Sequence, residues 1–211
     1  MSISPNTAVT ERMIIPVRGT KEDWKEPLKA YLLALKRQDG YLRSRWGPWS
    51  ENEETIDLLS GIQNPCWKSK DAHDKFFASD EFARLMGDFK KVMTGPINSH
   101  YIKFVPYAPR AAIDSPITEF ITITNPTMRE DEMRAYVDNA RRVDGLNEIA
   151  CGYAVGDFGG DTVFVAALGW ESLEESRAAD KSAYYPATGK AESHHVYFHY
   201  PIEGFADTYT D

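Results

Sequence analysis

The chain has 211 residues, a formal net charge of -8 and 42% hydrophobic residues. That is material for one large domain or two small ones of ordinary globular balance. The acidic balance, with no run of Lys or Arg, argues against a nucleic-acid or anionic-membrane partner, because phosphate binding needs clustered cations. MSISPNTAVTER lacks the charged-then-apolar pattern of a signal peptide, and no apolar run is long enough to span a bilayer. Only Cys66 and Cys151 occur. Two distant cysteines do not make a disulfide framework, and a reducing, cytoplasmic location is the expectation.

The first element is a short apolar strand, RMIIPV (12–17). A helix follows, in which Trp24, Leu28, Tyr31, Leu32 and Leu35 recur at helical spacing. Asp39-Gly40 ends it, with Gly supplying a left-handed cap. Strands are expected over 41–46 and 55–62. A second helix runs through 71–93, divided at Ser79-Asp80, and HYIKFV (100–105) closes the set. YAPRAAIDSP (107–116), with two Pro and no periodic pattern, reads as a connection. The series then repeats: strand EFITIT (119–124), a helix ended by Asp144-Gly145, strands over 146–154 and 162–169, helix SLEESRAADKSAYY (172–185) and strand HHVYFH (194–199).

Three ungapped matches turn that similarity into a duplication. AYLLALKRQDGYLRSRWG (30–47) aligns with AYVDNARRVDGLNEIACG (135–152), WKS (67–69) with WES (170–172), and TGPINSHYIKF (94–104) with TGKAESHHVYF (188–198), in the same order. The expected organisation is a first repeat over 10–107, a linker over 108–115 and a second repeat over 116–203. Each repeat has the order β-α-β-β-α-β of the ferredoxin-like unit, so the fold class is α+β. One such unit leaves a sheet face bare and is marginal alone. Two of them are expected to close those faces into an intramolecular α+β barrel, giving a monomer (an internal pseudo-dimer) or a homodimer.

The last strand carries three of the five histidines, and its side chains alternate. His194, Val196 and Phe198 share one face, as do His100, Ile102 and Phe104 in the first repeat. That apolar face is assigned to the helices. His195, Tyr197 and His199, with Tyr101 and Lys103, are then expected to look away from the helices into a small-molecule pocket, as are Phe120, Thr122 and Thr124 of the opening strand. Trp46 is a further candidate at the pocket mouth, although core or loop packing is the better account of it. His195 is the candidate base, because an imidazole titrates near neutral pH. Tyr197, Tyr101 and Lys103 are candidates to steady a developing oxyanion, with His199, Phe120, Thr122 and Trp46 binding the substrate. The bland reading makes all of these ordinary polar residues at a packed rim. His100 and His194, equivalent in the two repeats, read as structural, and His73 as helix packing.

No metal is expected. His195 and His199 lie about 13 Å apart on a strand rising ~3.3 Å per residue, whereas one zinc holds nitrogens at about 2.1 Å. No CxxCH haem site, phosphate loop, nucleophile elbow or dinucleotide fingerprint is present. GDFGGD (156–161) lacks the Lys-Ser/Thr and helix that a phosphate loop requires. Asp57, among apolar strand residues, is either a perturbed acid or an edge charge.

The duplicated plan resembles the dimeric α+β barrel superfamily, which includes antibiotic biosynthesis monooxygenases, EthD-like proteins, stress-responsive barrel proteins and olivetolic acid cyclase. His195-Val196-Tyr197-Phe198 resembles the His-Val-x-Phe of the cyclase's last strand, where the His acts as base on a linear polyketide. The cyclase's partner Tyr falls here on Gly189, with Tyr184 and Tyr185 nearby, and the first repeat has Tyr101 in place of the base. The resemblance implies a cofactor-free enzyme of secondary metabolism acting on a polyketide-like or aromatic small molecule. Three readings stay open: a cyclase, isomerase or dehydratase; a cofactor-free monooxygenase of a phenol or anthrone; and a non-catalytic ligand-binding or stress protein.

Overall fold

Alternation of apolar residues along the strands and their helical spacing between them produce two compact units, each with its own hydrophobic core. The computed structural model describes residues 9–38, 43–62, 75–106, 109–156, 160–185 and 188–198. It is a mixed α+β chain in which every described strand pairing is antiparallel. The first unit takes the chain up to Pro48 and Asn52–Ser99; the second takes Trp49–Glu51 and His100–Phe198.

The first unit contains β1 (Val9–Pro16), α1 (Lys21–Lys36), β2 (Arg43–Pro48), β3 (Thr55–Ile62), α2 (Asp80–Phe89) and the start of β4 (Asn98–Ile102). Its strand order, β2-β3-β1-β4, is that of the ferredoxin-like fold. α1 starts where the Asp23 carboxylate accepts the Thr20 N–H at 2.8 Å, and it buries the expected Trp24, Leu28, Tyr31, Leu32 and Leu35. α2 begins where the sequence divides, with Ser79 Oγ accepting the Phe82 N–H at 3.1 Å. These side chains pack on Met13, Ile15, Ile56 and Leu58, and each fully buried Leu or Ile stabilises by about 1.5–3 kcal/mol. Trp46 belongs to this core. It is 1% exposed and meets Trp24 edge-on at 5.8 Å, so it lines no pocket mouth. Register sets this: Trp46 pairs with Leu58, whose side chain also enters the α1 core. Asp57 points to the opposite face and holds the Arg12 guanidinium at 2.7 Å, both fully buried. His73 and His199 lie outside the described residues.

The second unit contains α3 (Arg110–Ile113), β5 (Ile117–Thr124), α4 (Glu130–Asp138), β6 (Leu146–Val155), β7 (Val163–Trp170), α5 (Leu173–Ala178) and β8 (Lys190–Val196). The order β6-β7-β5-β8 repeats that of the first unit. β7, VFVAALGW, is buried along its whole length, which is why it reads as a continuous apolar run and not as an alternation. The turn into β6 needs Gly145: its φ is +82°, and a Cβ there would strike the Glu175 side chain. Units and repeats divide the chain differently. Residues 100–106, read as the end of the first repeat, pack with the second unit. There the Val105 N–H donates to the Cys151 carbonyl at 2.9 Å, and Gly152 makes room for the Lys103 carbonyl.

Candidate functional site

β5 decides where the polar residues of β8 go. Ile117, Ile121 and Ile123 enter the core beneath α4 and α5, so Glu119 shares their face, while Phe120 and Thr122 take the other. This is the division expected for β5. In β8, Glu119 pairs with His195 and Phe120 with His194. His195 therefore lies on the helix side, and the faces assigned to β8 are reversed. His194 stacks on Trp49 at 3.7 Å and lies 5.9 Å from Phe120, which also meets Phe198 edge-on. The reason is physical: Phe120, Val165, Ala167, Val196 and Phe198, on the face away from α4 and α5, are all buried. When both faces of a sheet are dry, apolar character does not identify the helix side.

Beneath α5 the polar groups form one connected chain. Glu51 Oε1 lies 2.5 Å from His195 Nδ1, and Glu51 Oε2 accepts the His195 backbone N–H at 2.9 Å. His195 Nε2 lies 2.8 Å from Ser176 Oγ. Ser176 is fixed by α5, whose first turn is capped by Ser172 accepting the Glu175 N–H at 3.1 Å. Glu119, fully buried, receives four donors: Ser176 Oγ at 3.1 Å, Trp170 Nε1 at 3.2 Å, Ser193 Oγ at 2.6 Å and Lys181 Nζ at 2.5 Å. The Tyr184 hydroxyl is buried beside this carboxylate. Burial first, and then the Glu119 charge, push that phenol up.

Counting protons gives the resting state. An ionised carboxylate offers about four acceptor sites, and the four donors fill them. Ser176 thus spends its only proton on Glu119 and must accept from His195 Nε2–H. Burial would raise the Glu51 carboxyl, but the His195 backbone N–H, the ring and its charge outweigh that and hold Glu51 below its ordinary value. Glu51 is then an acceptor, and Nδ1–H donates to it. Donation from both ring nitrogens is the hydrogen-bonding pattern of an imidazolium. Glu119 and His195 are the buried members of this chain, while Glu51, which also lies 3.9 Å from the Arg177 guanidinium, and Lys181 are its partly exposed ends. The Glu51–His195–Ser176 distances match a nucleophilic triad. The Glu119 carboxylate against Ser176 Oγ opposes the negative charge such a serine must develop.

The other candidates are dispersed. Tyr101 sits on β4 opposite Val155, and in the order β4-β6-β7-β5-β8 three strands separate it from His195. Lys103 is exposed just beyond β4. Tyr197 follows β8 and is 43% exposed. Phe120 is fully buried and Thr122, opposite Glu192, is half-buried, both on the face away from Glu119. The sequence reading missed Glu51, Glu119, Ser176, Lys181 and Ser193. One signal was available. Ser193 Oγ donates to Glu119 as Ser99 Oγ donates to Glu11 at 3.1 Å in the first unit, and Ser99 and Ser193 align in the repeat. The first repeat has Tyr101 where the second has His195. Among the described residues no group of three His, Cys, Asp or Glu is placed to hold a metal ion, and no helix is long and apolar enough to cross a membrane.

Comparison with protein-family models gives no match, and neither does comparison with curated proteins. Solved structures do match. An anthrone oxidase-like protein superposes with a TM-score of 0.62 at 13% identity, covering 90% of each chain. A protein of Fusobacterium nucleatum provisionally named a monooxygenase gives 0.55 at 10% identity, covering 90% of this chain and 92% of that one. A provisionally named monooxygenase of Lactobacillus acidophilus gives 0.52 at 9% identity, covering 90% and 93%. The tandem α+β architecture is thus a shared fold. At these identities the likeness carries the fold and nothing of the chemistry.

Proposed function

We propose that the chain is a cofactor-independent tailoring enzyme of secondary metabolism, working by proton transfer on an aromatic or polyketide-like small molecule. Oxygenation of an electron-rich phenol or anthrone is the favoured form. The observation that carries the reading is the connected polar chain Glu51–His195–Ser176–Glu119–Lys181 in the second unit, buried at His195, Ser176 and Glu119. The names of the structures that share the fold favour oxygenation over cyclisation or isomerisation.

The roles follow from the proton count. Glu119 is the base, reached when the half-exposed Lys181 side chain moves off Oε1. A proton arriving on Glu119 removes the negative charge that supports the His195 imidazolium. The ring then releases its Nδ1 proton to Glu51, whose side chain is 37% exposed, and so to water. His195 is the coupled proton donor and not the primary base. The substrate, left as a carbanion conjugated with its phenolate or carbonyl oxygen, gives its electrons to O2. The peroxide anion that forms at that carbon takes the proton back from Glu119, and loss of water from the resulting hydroperoxide leaves a quinone-type carbonyl. Tyr197 belongs to the outer approach. Tyr101 and Lys103, three strands away, have no part in this scheme.

The test is oxygen uptake by the purified chain with an anthrone, with chelator present and no cofactor added. Turnover with one O2 consumed per quinone formed supports the proposal. Turnover of a polyketide-like substrate without O2 rejects oxygenation in favour of cyclase, isomerase or dehydratase chemistry. Binding without any turnover favours the ligand-binding reading.

A further inference from the structure

β8 is the last strand in the order β6-β7-β5-β8, and an outermost strand points N–H and C=O groups away from its sheet. At the C-terminal end of β8 three residues of the β2–β3 connection cover that edge. Trp49 forms an antiparallel bridge to Val196, and its ring stacks on His194 with the planes 15° apart. The exposed Ser50 gives its N–H to the His195 carbonyl at 2.8 Å. Glu51 takes the His195 backbone N–H on Oε2 and faces the ring Nδ1 with Oε1. The outward carbonyl, N–H and Nδ1 of His195 are thus met by two consecutive residues. His195 is left 4% exposed, while the Glu51 side chain stays 37% exposed.

We propose that Trp49–Glu51 is a strap closed over His195 and latched by the Glu51 carboxylate, and that a proton on Glu51 releases it and brings the His195 ring to water. Two of the strap's contacts end on that one side chain, so one protonation weakens both, because a hydrogen bond to a carboxylate is roughly twice as strong as a neutral one. What then remains is a short edge pairing, and a lone pair of short strands is marginal in water. The charged and titratable groups about the latch are Arg177 of α5, 3.9 Å from Glu51 Oε1, and His194 and His195 of β8. Behind His195 stand Glu119 of β5 and Lys181 of the turn after α5. Burial raises the Glu51 carboxyl, but the His195 backbone N–H, the ring and its charge outweigh that and lower it in the closed form. The latch is therefore set above the ordinary carboxylate value and is lost as pH falls through the closed-state value. In the proton-transfer reading above, the proton leaving Nδ1 lands on Glu51, so each transfer loosens the strap where the proton must escape.

The test is residue-resolved amide exchange of the whole chain, followed by NMR at several low urea concentrations, with each rate divided by that of an unfolded chain at the same pH. The Ser50 and His195 amides are expected to exchange together, through an opening that urea hardly speeds because it uncovers little surface. Amides of the buried β7 should need unfolding, and urea should speed them strongly. As pH falls through the acid range, protection of Ser50 and His195 should drop about tenfold. In Glu51→Gln it should already be low at neutral pH and respond little to acid. Exchange of Ser50 and His195 with the urea dependence of β7 means that they open only with the whole fold, and overturns the strap. Protection that ignores pH overturns the latch. A pH response that survives in Glu51→Gln moves the latch to His194 and overturns the assignment as well. If Glu51→Gln fails to fold, the urea and pH dependence of the wild type still decide. None of these measurements involves turnover, so failure of the oxygenase reading leaves this inference standing.

Discussion

Glu51 grips His195 twice across 144 residues of sequence, its Oε1 2.5 Å from the ring Nδ1 and its Oε2 accepting the backbone N–H at 2.9 Å. The Ser50 N–H adds a bond to the His195 carbonyl at 2.8 Å, and Trp49 stacks on His194, so a three-residue segment forms the outer edge of β8.

This grip predicts an acid-sensitive contribution to stability. The Glu51 carboxyl is lowered in the folded protein, so it binds a proton less readily there than in the unfolded chain. Its stabilisation is present above the ordinary carboxylate value and is lost as pH falls through the folded value. Melting curves of the wild type and Glu51→Gln should differ at neutral pH and converge in acid. A difference that persists unchanged at low pH contradicts this.

Arg12 and Asp57 form a bidentate pair that is fully buried in the first unit. Removing either partner strands a charge, and Arg12→Met or Asp57→Leu should each cost about 3–5 kcal/mol. The double variant should recover most of that loss, because two apolar residues of similar volume owe no desolvation. Chemical denaturation of the four proteins gives the cycle, and simple additivity would refute the coupling.

Burial raises the Cys151 thiol to about 11, and the nearby Arg134 charge only partly opposes this. Neutral Cys151 is thus favoured in the fold, and its contribution to stability falls as pH rises past the unfolded thiol's value. Peptide mapping after iodoacetamide treatment should find Cys151 unmodified in the native chain at neutral pH and modified once the chain is unfolded. Rapid native labelling would contradict the burial.

Much of the fold was legible because its signals are local. The spacing of Trp24, Leu28, Tyr31, Leu32 and Leu35, the break at Ser79-Asp80 and the left-handed Gly145 each depend on near neighbours. The site was less legible because it depends on pairing. Whether His195 or His194 faces the helices is fixed by register against Glu119 and Phe120, and the sequence of β8 alone is equally compatible with both. Trp46 misled for the same reason, since its partner Leu58 and not its flanking Gly47-Pro48 sets its direction. Glu119 opens an otherwise apolar strand and gave no sign of being the centre of the network. The alignment of Ser99 with Ser193, each reaching a β-strand glutamate, was the clue the repeat contained.

The central claim is that proton transfer runs through the second repeat's His195 and not through its counterpart in the first repeat, Tyr101. The most direct test is the rate of anthrone oxidation by the wild type, His195→Gln and Tyr101→Phe, with the fold of each verified by its melting curve. The account predicts that His195→Gln loses roughly a hundredfold or more in rate, while Tyr101→Phe keeps the wild-type rate. Full activity in His195→Gln, or loss confined to Tyr101→Phe, would contradict it.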